Sequence, residues 1–113
     1  MSDSDDKVVT YGKNALEKFR KHAEQIRRIA GTQNIAIPKK VSAPNTQKTI
    51  KDYLEFVVKH GETRIGRYKQ YMNAKWSKLG NAIVIRQFHG EFITFLDAKG
   101  GGAALNFPGE YEL

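Results

Sequence analysis

The chain has 113 residues, enough for one small domain that builds its own core. It contains no Cys, which excludes disulfide frameworks, thiolate zinc sites and cysteine nucleophiles. A net charge of +7 points instead to an anionic partner: nucleic acid, an acidic protein or a membrane surface.

No apolar run approaches membrane-spanning length, and the opening Met-Ser-Asp-Ser-Asp-Asp lacks the basic-then-apolar order of a signal peptide. The expectation is a protein that works in water, in a cytoplasm. Residues 1–10 read as a disordered, acidic leader, and residues 11–113 as one domain. Asn14-Ala-Leu-Glu17 has the form of a capping box and predicts a helix over about 14–31. Leu16, Phe19, Ala23, Ile26 and Ala30 follow at spacings of three and four, with Gly31 as the stop. Its other face carries Lys18, Arg20, Lys21, Arg27 and Arg28, either a solvated face or a phosphate-contacting one. His22 falls beside Ala23 on that basic face and is assigned no role.

Thr32 to Asn45 holds two of the three prolines and no helical period, so it reads as a connector, with Ile35 and Ile37 its candidates for the core. A second helix is predicted over about 46–60, with Ile50, Tyr53, Leu54, Val57 and Val58 as its stripe and Gly61 as its end. His60 lies in its last turn, where it either meets the helix dipole or is aimed into a site.

From Thr63 to Gly90 there is no Asp or Glu. The same window interleaves Arg64, Arg67, Lys69, Lys75, Lys78 and Arg86 with Tyr68, Tyr71, Trp76 and Phe88. Basic side chains contact phosphates and aromatic faces stack on unpaired bases, although a plain core with a solvated basic rim would read the same way. Ala74–Leu79 is a candidate strand, and Gly80-Asn81 turns it into the hairpin Asn81–Leu96 about His89-Gly90. A two-residue loop there pairs Ile85 with Thr94 and Arg86 with Ile93, putting Arg86 and Thr94 on opposite faces. A bulged three-residue loop brings the two to one face, and the sequence leaves both registers open. Gly100–Gly102 makes a flexible turn, and Ala103–Phe107 a last strand stopped by Pro108. Two helices followed by three or four antiparallel strands is an α+β domain.

Gly66-Arg-Tyr68, Asn73-Ala-Lys-Trp76, Asn81-Ala-Ile-Val-Ile85 and Gly90-Glu-Phe-Ile-Thr-Phe95 resemble the C-terminal toxin domains of bacterial contact-dependent inhibition and other polymorphic toxin systems. Within these, the likeness is to the group sharing the small ribonuclease fold of barnase, EndoU, colicin D and RelE, and it covers about residues 46–107. The resemblance implies N-terminal helices packed on a twisted antiparallel sheet of residues 66–107, and a toxic endoribonuclease that cuts RNA, often tRNA, with no metal or other cofactor. It implies delivery as the C-terminal part of a larger secreted or surface protein, and action in the cytoplasm of a target bacterial cell. Thr94, and an upstream His such as His60, are the residues the likeness carries over.

Metal-independent RNA cleavage needs a base for the 2′-hydroxyl, an acid for the leaving oxygen, and stabilised phosphate charge. His60 is the expected acid or base, with Arg86 and Thr94 holding the scissile phosphate. Arg64, Arg67, Tyr68, Lys75, Trp76 and His89 are the expected substrate contacts. A basic nuclease made beside its own target must be held inactive, so an acidic immunity protein is the expected partner of a monomeric toxin. Two other classes stay open: a non-catalytic RNA- or DNA-binding module, and an interaction domain whose basic face meets an acidic protein.

Overall fold

A computed structural model describes residues 7–109. Two helices, α1 (Ala15–Thr32) and α2 (Pro44–His60), precede four strands, β1 (Glu62–Tyr68), β2 (Tyr71–Leu79), β3 (Ala82–Arg86) and β4 (Phe92–Asp97). The strands form one antiparallel sheet in the order β1-β2-β3-β4, each paired with its neighbour in sequence. Helices segregated to one side of an antiparallel sheet make this the α+β domain expected.

The helix ends follow different chemistry from that read in the sequence. Asn14 sits at the start of α1, but its side chain makes no capping bond. At the other end α1 runs one residue past Gly31, and Asn34 takes the left-handed turn at φ 65°. Gln33 and Ile35 both donate their N–H to Ala30 O, each at 2.9 Å, so Asn supplies the stop that Gly was expected to give. Helix α2 starts earlier than expected, at Pro44, where a missing N–H is harmless because the first turn has no acceptor for it. It ends at His60, and Glu62 already belongs to β1. The expected start of the sheet near residue 66 therefore moves back to Glu62, with Gly61 as the whole connection.

Strand β3 is buried at every position, which explains its unbroken apolar run. Ala82 and Val84 face the helices and pack with Phe19, Ile26, Ile50, Leu54, Val57 and Phe95. Ile83 and Ile85 face the other way, into a smaller cluster with Tyr68, Ala74, Trp76 and Ala104. Covering that second face is the task of the C-terminal segment. Gly101 and Gly102 turn it at φ 75° and 58°, and Gly102–Asn106 forms a 3-10 helix. The expected strand Ala103–Phe107 is thus corrected: the segment lies across the sheet as a plug, and Phe107 sets its ring edge-on to Trp76, 6.3 Å away.

Residues 7–10, where the described part of the chain begins, are also tied down. Thr10 bridges to Glu91 in parallel sense, donating to Gly90 O at 3.0 Å and accepting from Phe92 N at 2.8 Å. Lys7 reaches Val58 O at 3.3 Å, and Val8 O accepts from Arg86 Nη1 at 2.7 Å. Residues 7–10, expected as part of a disordered leader, form a strap over the hairpin, while residues 1–6 lie outside the described residues.

The hairpin itself combines the two registers. Ile85 pairs with Thr94 as in the tight one, but Arg86 pairs with Phe92, so a bulge falls between them and leaves Ile93 over. Gly90 closes the turn at φ 113°, donating to Gln87 O at 2.9 Å. Arg86 and Thr94 consequently bond to different partners, one the strap and the other α1.

Candidate active site

The partner of Thr94 is His22. Phe19, His22 and Ile26 are three and four residues apart, so His22 lies along the stripe that α1 turns to the sheet. Its Nε2 is 3.2 Å from Thr94 Oγ1, and its Nδ1 is 3.3 Å from Gln25 Oε1. An amide oxygen can only accept, so Nδ1 carries a proton; in the neutral ring Nε2 is then an acceptor and the Thr94 hydroxyl donates to it. The result is a directed chain, hydroxyl to imidazole to amide, that fixes the ring's orientation and its tautomer. Thr94 is buried at 2% exposure, while His22 is only half-buried.

Burial holds the His22 imidazolium below its ordinary range. The hydrogen bond to Gln25 opposes that shift, and the neighbouring ammonium groups of Lys18 and Lys21 add to it. Near neutral pH the ring is therefore a free base, placed beside a hydroxyl and ringed by cations.

Lys18 leads from this chain into a cleft of about 320 Å³ at the sheet's end. There β2 runs beyond the end of β3, and the Tyr68–Tyr71 turn faces Ala15 and Lys18 of α1 across the gap. His22 is one turn of α1 beyond Lys18, so the His22–Thr94 pair neighbours the cleft without lining it.

Several expected site residues are elsewhere. His60 is exposed at the end of α2 with its ring on Phe56, 4.7 Å between centroids, and Thr94 does not bond to it. Trp76 is fully buried and donates Nε1–H to Gly66 O at 3.2 Å, so it offers no face to a base and its expected role is corrected to that of a core residue. Tyr68 packs edge-on against it and is buried at 8% exposure, its remaining surface lining the cleft. Arg64 is occupied in structure: it pairs with Glu62 at 2.6 Å and donates to Pro108 O at 2.8 Å and to Gly109 O, holding the C-terminal plug. Arg67 is exposed, with Nε on Lys69 O at 3.0 Å. His89 is exposed at the hairpin tip, 3.8 Å from Glu91.

Arg86 and Lys75 form a second group, side by side across β2 and β3 and both buried. Besides its bond to the strap, Arg86 places Nη2 3.5 Å from Ser77 Oγ, which in turn meets Thr63 Oγ1 at 2.7 Å. Lys75 Nζ lies 5.0 Å over the exposed Phe88 ring. Thr94 thus bonds to a histidine, while Arg86 lies beside Lys75 across the strands and bonds to Val8 O.

What the sequence reading missed is His22, and the signal was present. A polar residue on an otherwise apolar stripe has to meet a partner inside the fold. Among the described residues no helix is long and apolar enough to cross a membrane, and no three His, Asp or Glu side chains are grouped as metal ligands would be. Comparison of the chain with protein-family models, with curated proteins and with solved structures returns no match.

Proposed function

We propose that this chain is a metal-independent toxic endoribonuclease, acting on tRNA or other RNA inside a target bacterial cell and held in check at its source by an acidic immunity protein. The observation that carries this reading is the Gln25–His22–Thr94 chain, one helical turn from Lys18 in a cleft that Lys69 also lines. His22 takes the proton of a ribose 2′-hydroxyl, directly or through the Thr94 hydroxyl. The 2′-oxygen then bonds to phosphorus, the bond to the 5′-oxygen breaks, and that oxygen takes a proton from water while the one held by His22 is released to solvent, giving a 2′,3′-cyclic phosphate. Lys18 meets the charge that builds on the phosphate. Gln25 keeps the imidazole in the tautomer that accepts.

The test is RNA cleavage in the presence of a chelator, read on a denaturing gel with analysis of the product ends. Removing one positioned proton-transfer group costs about 10²–10⁴-fold in rate, so His22→Ala falls by that factor. His60→Ala and His89→Ala cut at close to the wild-type rate. A His22→Ala chain that cleaves like wild type overturns the assignment, and a wild-type chain that binds RNA without cutting it makes this a binding module.

A further inference from the structure

The cleft beside His22 has walls that a phosphate site alone would not need. Gln70, Gln87 and Glu91 are among the residues that line it. Gly12 makes room for the Glu91 carboxylate: a Cβ added at Gly12 would strike Glu91 Oε2. Tyr71 and Lys18 line the same space, and Lys18 is close enough to His22 to act on its charge. A volume of about 320 Å³ is at the small end of ligand sites, the scale of a single nucleotide and not of a duplex.

From these features we infer that the cleft is a base-reading subsite, taking one unpaired nucleobase that carries an exocyclic amino group. A carboxylate among lysines repels phosphate, but it accepts from an amino group, as Glu and Asp do from cytosine N4. Carboxamides both donate and accept, so Gln87 and Gln70 match the remaining edge of adenine, guanine or cytosine. Uracil has no amino group and leaves Glu91 facing a carbonyl oxygen. The base must be unpaired because its Watson–Crick edge is what the walls read, and the Tyr71 ring offers it a face. Lys18 then meets the phosphate that links this base to the bond at His22. The position of the cut rests on the nuclease reading; the binding of the base does not.

The experiment titrates each of the four nucleoside 3′-monophosphates, and inorganic phosphate, into the isotope-labelled full chain. Amide resonances of the backbone and of Gln70 and Gln87 report the site. The adenosine, guanosine or cytidine nucleotide shifts cleft resonances and binds roughly tenfold tighter than the uridine one, the discrimination of one good base contact. Glu91→Ala reduces that preference to within about twofold and leaves the response to inorganic phosphate in place. Gly12→Ala, which displaces Glu91 without removing it, weakens the preference in the same direction; the spectra of both variants report whether the fold is kept. Equal binding of all four nucleotides, shifts outside the cleft, or shifts that inorganic phosphate alone reproduces would each overturn the subsite. No bond is cut in this experiment, so a chain that binds selectively but lacks cleavage activity loses the nuclease reading and keeps the subsite. One that cleaves without selective binding does the reverse.

Discussion

His22 connects stability to chemistry through a single imidazole. Burial keeps the folded-state pKa below the ordinary 6.5, so as pH falls the unfolded chain takes up this proton before the folded one. The stability that the neutral ring allows is complete above about pH 6.5 and drains as pH drops from there towards the folded pKa. In His22→Gln, which cannot titrate, that part of the acid limb disappears from a plot of Tm against pH; an unchanged limb would assign it to other groups. Thr94→Val removes the hydroxyl while keeping its shape, leaving a half-buried Nε2 without its donor, and costs about 1–3 kcal/mol of stability. Thr94→Ser, measured in the same urea titration, keeps most of it. Trp76→Ala is a different kind of change. It empties the centre of the second core, lowers stability by about 3–5 kcal/mol, and lowers RNA affinity no further than the loss of fold does.

At the level of elements, Gly61 shows how little connection the fold allows between α2 and β1. Its backbone is extended, so no left-handed turn demands glycine there. The demand is steric: a Cβ would lie 2.5 Å from Lys78 O and 2.6 Å from Val57 O. Gly61→Ala must therefore push β2 away from the helix end, and it lowers Tm where a Gly→Ala change at an extended position ordinarily raises it. A raised Tm would show that the junction yields. The helices and the central hairpin were legible because their apolar spacing repeats over many residues, as in Ile50–Val58 and Ala82–Ile85. Strand β1 was legible only from about residue 66, since Glu62, Thr63 and Arg64 on an edge strand show no apolar alternation. The last segment was misread for the opposite reason. Ala103 to Phe107 is apolar because it plugs a sheet face, and composition alone does not separate a plug from a strand. Of the candidate site, Thr94 was legible through its place in the hairpin. Its partner was passed over because His22 was grouped with the basic face, although its spacing from Phe19 and Ile26 puts it on the apolar stripe.

For the molecule as a whole, a net charge of +7 makes binding to a polyanion depend on salt. Each neutralised phosphate contributes a slope of about 0.7 for a single strand in log affinity against log salt. Lys18→Ala and Lys69→Ala, both on the cleft, each lower the slope by roughly that amount. Lys75→Ala acts on the fold instead, because Lys75 is buried beside Arg86. Equal slopes in all three variants would move the RNA surface away from the cleft.

The strap of residues 7–10 gives the molecule a direction in which it is mechanically weak. Traction that arrives at Lys7 loads Lys7 on Val58, Val8 on Arg86 and Thr10 on Gly90 and Phe92 in succession, before it reaches α1. Bonds met one after another unzip at low force, each holding only about 0.5–1.5 kcal/mol, whereas bonds loaded together resist as a group. A motor threading the chain from this end would strip the strap first and break the Arg86–Val8 bond while the His22–Thr94 pair was still closed. Traction from the carboxyl end meets the plug and its Arg64 clasp instead, and leaves the strap in place. Optical-tweezer traces with the handles exchanged would separate the two routes: a small early step belongs to the amino-terminal pull alone.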